Sequence, residues 1–104
     1  MCAVFQIGTK DYEGNSFQVK KALSQIETLC GVSNGYMLGS PKSTFGWTFF
    51  DLVIQPTLQM GIETRFADMI SRYRFAKRHE KFTKFFGDYL AARGCNVKLK
   101  LIDF

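Results

Sequence analysis

Few side chains of this sequence could do bond-making chemistry, and they lie far apart: one histidine, His79, three cysteines, Cys2, Cys30 and Cys95, and a carboxylate, Asp51, set inside an apolar run. General acid–base catalysis needs two titratable groups within hydrogen-bond reach, and a lone histidine with a remote carboxylate does not supply them. No CxxC pair accompanies His79, so the donor spacing of a zinc site is missing and neither a metal nor a cofactor is expected. Widely spaced cysteines in odd number suit reduced thiols in a cytoplasmic protein better than a disulfide framework. On a helical wheel His79 falls on the apolar side, the position of a structural histidine. The expectation is a non-enzymatic protein that acts by binding, with no catalytic residues.

Two features carry binding chemistry. The segment 45–56, FGWTFFDLVIQP, places four aromatic rings within six residues. Between positions 63 and 84 lie seven basic residues, Arg65, Arg72, Arg74, Lys77, Arg78, Lys81 and Lys84, against three acids, a surplus of four out of the whole chain's net +5. Such clustering is the footprint of a polyanionic partner, although a solvated helix face has the same pattern.

The elements that hold these features follow from periodicity. A chain of 104 residues with 46% hydrophobic content forms one domain with one core. Its longest apolar run is far below the roughly 18 to 20 residues of a membrane span, and no leader pattern opens it. CAVFQI, 2–7, reads as a strand. A helix capped by Asn15 or Ser16 follows, with Val19, Ala22, Leu23, Ile26, Leu29 and Cys30 on one face and Gly31 as its stop. Val32, Tyr36 and Leu38 mark a short second strand, GSPKSTFG, 39–46, a hairpin loop, and 45–55 the third strand, closed by Pro56. Ile62, Phe66, Met69, Ile70 and Tyr73 form one helical stripe and Phe75, Phe82, Phe86, Tyr89 and Leu90 another. The two are out of phase, so a bend is expected near 74–77. NVKLKLI, 96–102, alternates as a last strand with one solvated face.

The predicted class is α+β: a ferredoxin-like βαββαβ sandwich with a four-stranded antiparallel sheet and one extra helix before the last helix. In that order the first and third strands are central, and helices pack on one face only. Phe50, Leu52 and Ile54 then floor the helical layer, which leaves Phe45, Trp47 and Phe49 on the open face. Three rings there need a cover. The extra helix, a second copy stacked sheet on sheet as a homodimer, or single-stranded nucleic acid would each serve.

TFGWTFF resembles the aromatic half of the RNP1 octamer of RNA-recognition domains, with Phe45, Gly46 and Trp47 at its F/Y-G-F positions, and VFQIG is similar to RNP2 with Phe5 as its ring. Ser43, Thr44 and Thr48 depart from the octamer. The resemblance implies RNA or DNA bases stacked on a sheet. The βαββ order is similar to that of LAGLIDADG intron endonucleases, whose acidic metal-binding helix this chain lacks.

The basic segment makes a second candidate surface. On one helical wheel Arg74, Lys77, Arg78, Lys81 and Lys84 form a stripe beside the one made by Phe75, Phe82, Phe86 and Tyr89, with Phe85 at its edge, between the charges and the core. Arg72, Arg74, Lys77, Arg78, Lys81, Lys84 and Phe85 are the candidate nucleic-acid contacts, and Phe45, Trp47 and Phe49 the candidate sheet-face or dimer contacts. The alternative is a protein-binding modulator, of the phage-type or antitoxin-like inhibitor kind, docking this stripe on an acidic partner.

Overall fold

In the computed structural model, which describes residues 2–74 and 77–104, the chain runs β1 (Ala3–Thr9), α1 (Tyr12–Cys30), β2 (Tyr36–Leu38), β3 (Lys42–Thr44), β4 (Trp47–Ile54), α2 (Pro56–Arg65), α3 (Ala67–Ser71), α4 (Arg78–Ala92) and β5 (Lys98–Asp103). It is an α+β fold with an antiparallel sheet of five strands. Four lie in the order β2-β4-β1-β5, and β3 also pairs with β4. The two apolar strands are central, and the short and the alternating ones are at the edges.

The side chains of β1 and β4 sort by parity. Ala3, Phe5 and Ile7 share one buried face with Phe50, Leu52 and Ile54, and onto it pack Val19, Leu23 and Ile26 of α1, Leu58 and Ile62 of α2, and Phe82, Phe86 and Leu90 of α4. Burying a side chain of this size contributes roughly 1.5 to 3 kcal/mol. The helices therefore lie together on one side of the sheet. The one extra helix expected over 62–73 is two helices, α2 and α3, and both belong to this layer: α2 packs against α1, buried Gln59 accepts a hydrogen bond at its Oε1 from the backbone N–H of Ala3 (2.9 Å), and α3 packs against α4. They do not cover the other face.

Several local expectations are corrected. Helix α1 starts four residues early, because Asp11 accepts the N–H of Gly14 as its cap. Asn15, expected as that cap, lies buried and donates from Nδ2 to Thr9 Oγ1 (2.7 Å) and to the carbonyl of Asn96 (3.2 Å), while its Oδ1 accepts the N–H of Asn96 (3.2 Å). This clasp ties the end of β1 to the approach to β5. Pro56 opens α2 at its first position, where its missing N–H is no loss. The stripe from Ile62 to Tyr73 is split at Phe66, which leaves helical geometry (φ −112°) and turns its ring onto Phe85 (5.1 Å between centroids). The expected bend falls between α3 and α4; Phe75, assigned to the second stripe, lies outside the described residues.

The expected hairpin loop is a strand with a tight turn. β2 and β3 line the same edge of β4 in succession, and the register shifts by one residue between Leu38↔Leu52 and Lys42↔Phe49. This is a bulge across 39–41, where Pro41, without an N–H, would interrupt any ladder. The turn itself is Phe45-Gly46, both left-handed, with φ 51° and 80°. A two-residue turn of that hand matches the twist of paired strands. Phe45 is thus not a residue of the third strand. It stands at the hairpin tip, 98% exposed. A β-carbon in this conformation costs roughly 1–2 kcal/mol, which asparagine partly avoids. Phe45→Asn is expected to raise unfolding free energy by about 1 kcal/mol, read as a higher urea midpoint at unchanged m-value.

Candidate nucleic-acid interface

The open face of the sheet is built by three strands and one glycine. Directly opposite residues share a face, so the pairs Gly8↔Phe49 and Gly8↔Lys98 place Lys42, Phe49, Gly8 and Lys98 in one row, and Asp51↔Gln6↔Lys100 make the next. A side chain at Gly8 would obstruct this surface. A β-carbon there would lie 2.9 Å from Cε1 of Phe49 and 3.7 Å from Cε3 of Trp47, so its absence lets both rings lie down over β1. Trp47 and Phe49 stack nearly parallel, with centroids 6.3 Å apart and planes at 20°, and both remain half-buried.

Cations gather on Trp47. Nζ of Lys98 lies 4.8 Å and Nζ of Lys10 5.2 Å from the centroid of its ring, in the range of cation–π attraction. A cleft of about 430 Å³ opens beside the ring, lined by Lys10, Asp11, Asn15, Asn96 and Lys98. The Asn15–Asn96 clasp holds its two walls together, since Lys10 leads into α1 and Lys98 opens β5. Asp51 opens onto solvent in the row beside Phe49, one of the two outcomes expected for a carboxylate in that run.

The cationic stripe is arranged differently from its sequence reading. Arg78 makes a two-pronged contact with Glu63, Nε and Nη2 donating to the carboxylate at 2.6 and 2.5 Å, and its guanidinium lies 5.1 Å from the ring of Phe104. Lys84 pairs with Asp88 at 3.2 Å. Arg72, Arg74 and Lys77 are exposed, and Lys81 is half-buried. Phe85 is not at the edge of the stripe. It is 3% exposed, packed on Phe66, and unavailable to a base. Its place on the wheel is within reach of the core because α3 folds back over α4 and widens the buried face.

Of the remaining candidates, His79 is half-buried beside the ring of Phe104 (6.0 Å), and the three cysteines are free. Burial pushes the thiols of Cys30 and Cys95 up, which keeps them protonated. Among the described residues no three His, Cys, Asp or Glu side chains converge as a metal site would require, and no helix is long and apolar enough to cross a membrane. Sequence reading missed Lys10, Lys42, Lys98 and Lys100. Their signal was the alternation of 96–102 combined with the strand order, which turns Lys98 and Lys100 away from the helices. Comparison with protein-family models, with curated proteins and with solved structures found no match.

Two outcomes follow from this geometry. Gly8→Leu should leave the core intact, because the new side chain enters the open face, but should displace Phe49; Trp47 emission should then shift while the far-ultraviolet circular dichroism stays the same. The second concerns Tyr73, whose hydroxyl donates to Asp88 (2.7 Å). Burial first, then the hydrogen bond and charge of Asp88, pushes the Tyr73 phenol up from 10.0 to about 12. The folded state keeps this proton where an unfolded tyrosine has lost it, so stability falls as pH rises from 10 to 12. The same hydrogen bond, with Lys84, holds the Asp88 carboxyl below its ordinary range, a contribution present at neutral pH and lost as pH falls through that lowered pKa. Tyr73→Phe should lower Tm near pH 8 and show a shallower decline between pH 10 and 12.

Proposed function

We propose that the chain is a ferredoxin-like domain, βαββαβ with its second strand broken into β2 and β3, that binds single-stranded nucleic acid on the open face of its sheet. The reading is of a non-enzymatic protein of a reducing, cytoplasmic compartment. The observation that carries it is the Trp47–Phe49 stack on an uncovered sheet face, held between Lys10 and Lys98. Bases stack on such rings for roughly 1 to 3 kcal/mol each, and lysines released from the ring face reach the flanking phosphates. Phe45 adds a third ring at the hairpin tip, in a backbone conformation that disfavours it; strain of this kind clusters at binding sites. Lys42 and Lys100 extend the positive field along the face.

This reading moves the contact surface from the basic helix to the sheet. Arg78 and Lys84 already hold carboxylates, and Phe85 is interior, which leaves Arg72, Arg74, Lys77 and Lys81 as secondary phosphate contacts. A homodimer stacked face to face has less support, because a second copy would bring four more lysines against these four. Exposed Arg72, Arg74 and Lys77 favour the second reading, a modulator docking on an acidic protein.

The test is a titration of Trp47 emission, this being the only tryptophan, with oligo(dT), oligo(U) and a duplex of equal length. Single strands should quench the ring and duplex should not. Trp47→Ala should weaken binding by roughly tenfold or more. Lys10→Ala with Lys98→Ala should flatten the salt slope by about 1.4, at about 0.7 per phosphate, and Lys81→Ala with Lys84→Ala should do less. Emission indifferent to every oligonucleotide, with no salt-dependent binding, would reject the proposal.

A further inference from the structure

Strand β5 has β1 on one side, and among the described residues no strand lies along its other edge. Below that edge, between β5 and α4, runs a groove of about 530 Å³ walled by Val97, Leu99 and Leu101 from the strand side and by His79, Thr83 and Gly87 from the helix. Gly87 keeps it open: a β-carbon there would meet only Cδ2 of Leu99, at 3.8 Å. The hydroxyl of Thr83 is buried in the wall with no hydrogen-bond partner among the described residues. Val97, Leu99 and Leu101 are each half-buried, apolar surface that the core does not fully enclose.

We propose that this edge and groove bind an extended peptide of a partner protein, about six residues long to match β5, in which apolar and acidic residues alternate. A strand added to a free edge satisfies its main-chain groups there and turns successive side chains to opposite faces. On the lower face it meets the aliphatic wall of the groove. On the upper face it meets Lys98 and Lys100, whose row positions across β1 put them on the open side of the sheet. Acidic residues belong on that upper face, because the helical rim of the groove carries Glu80 together with Lys84 and Asp88, which are paired with each other, and so offers no free cation on the lower side. The same lysines disfavour a second copy of β5 as the added strand, since like charges opposite each other destabilise a pair. Edge lysines thus act as a filter: they discourage self-pairing and admit an acidic strand. The inference does not depend on nucleic acid binding, which uses the stacked rings of the open face.

The probe is a fluorescein-labelled hexapeptide alternating valine and glutamate, followed by anisotropy with the whole protein. It should bind at least tenfold tighter than a permuted peptide with its valines and glutamates in two blocks, and than an alternating valine–lysine peptide. Methylation of the amides on one edge of the peptide, alternate residues at a time, should abolish binding for one of the two sets. Gly87→Leu fills the groove from a helical position without backbone strain, so it should reduce peptide binding tenfold or more while Tm is kept or raised and the response of Trp47 to oligonucleotide is unchanged. Failure of the alternating peptide to bind at millimolar concentration, equal binding of the permuted peptide, or an unchanged affinity in Gly87→Leu would each overturn the proposal. So would a dimer in sedimentation that Gly87→Leu disperses, because the occupant would then be a second copy.

Discussion

Phe5 is the ring on which both layers depend. It lies at the centre of the sheet on β1, fully buried, and stacks on Phe86 (centroids 5.3 Å apart, planes at 12°) and Phe82 (6.3 Å, 15°), which are parallel to each other within 3°. Three phenyl rings in register tie the middle strand to the last helix. Deleting a buried ring of this kind costs roughly 3–5 kcal/mol, a large part of the 5–15 kcal/mol that holds a small domain folded. Once α4 is bound to this face, α1 and α2 fill the remaining length of β1 and β4, and all large apolar burial is on one side.

The opposite face is therefore free of the packing rule that governs the core, and its composition follows a different logic. On the strand order β2-β4-β1-β5, the open rows collect lysines from β3, β5 and the turn after β1 around two rings of β4. Gly8 is the hinge of this arrangement. A glycine in a central strand weakens it, since it loses more backbone freedom on folding and packs nothing, yet any side chain here would lift Phe49 off the sheet. The asymmetry of the two faces is thus written into one strand: Phe5 and Ile7 point into the core, and Gly8 between Ile7 and Thr9 makes room on the other side.

Period-two and period-three-to-four patterns made the central strands and the long helices readable, because each of those elements buries one face along its whole length. The expected sharing of Phe50, Leu52 and Ile54 by the helical layer rests on that alternation and matches the burial. What failed to read were positions decided by contacts distant in sequence. Asn15 looked like a helix cap, but its partners Thr9 and Asn96 come from two different strand ends. KST, 42–44, has no hydrophobic pattern and is a strand only because β4 offers it an edge. Counting parity puts Phe45 on a strand face, and parity stops where a two-residue left-handed turn begins. Phe66 breaks a regular helical stripe to reach Phe85, a choice made by tertiary packing over local propensity.

Charge shows the same division between what a sequence lists and what a fold makes available. The basic run at 63–84 is dense along the chain, but two of its cations are held by carboxylates: Glu63 within the run meets Arg78 across the α2–α4 contact, and Asp88 beyond it meets Lys84 one helical turn on. An exposed pair of this kind is worth little in stability. Its effect on recognition is larger, because a paired cation presents a dipole where a free one presents a charge. The lysines of the open face are sparse in sequence, at 10, 42, 98 and 100, and the alternation of 96–102 marks only two of them. They converge only through strand pairing. Their nearest carboxylates on that face are few, Asp51 among them, and two of the four have an aromatic ring for a neighbour, which attracts a cation without neutralising it. The cations around Trp47 are therefore brought together by strand pairing and not by nearness along the chain.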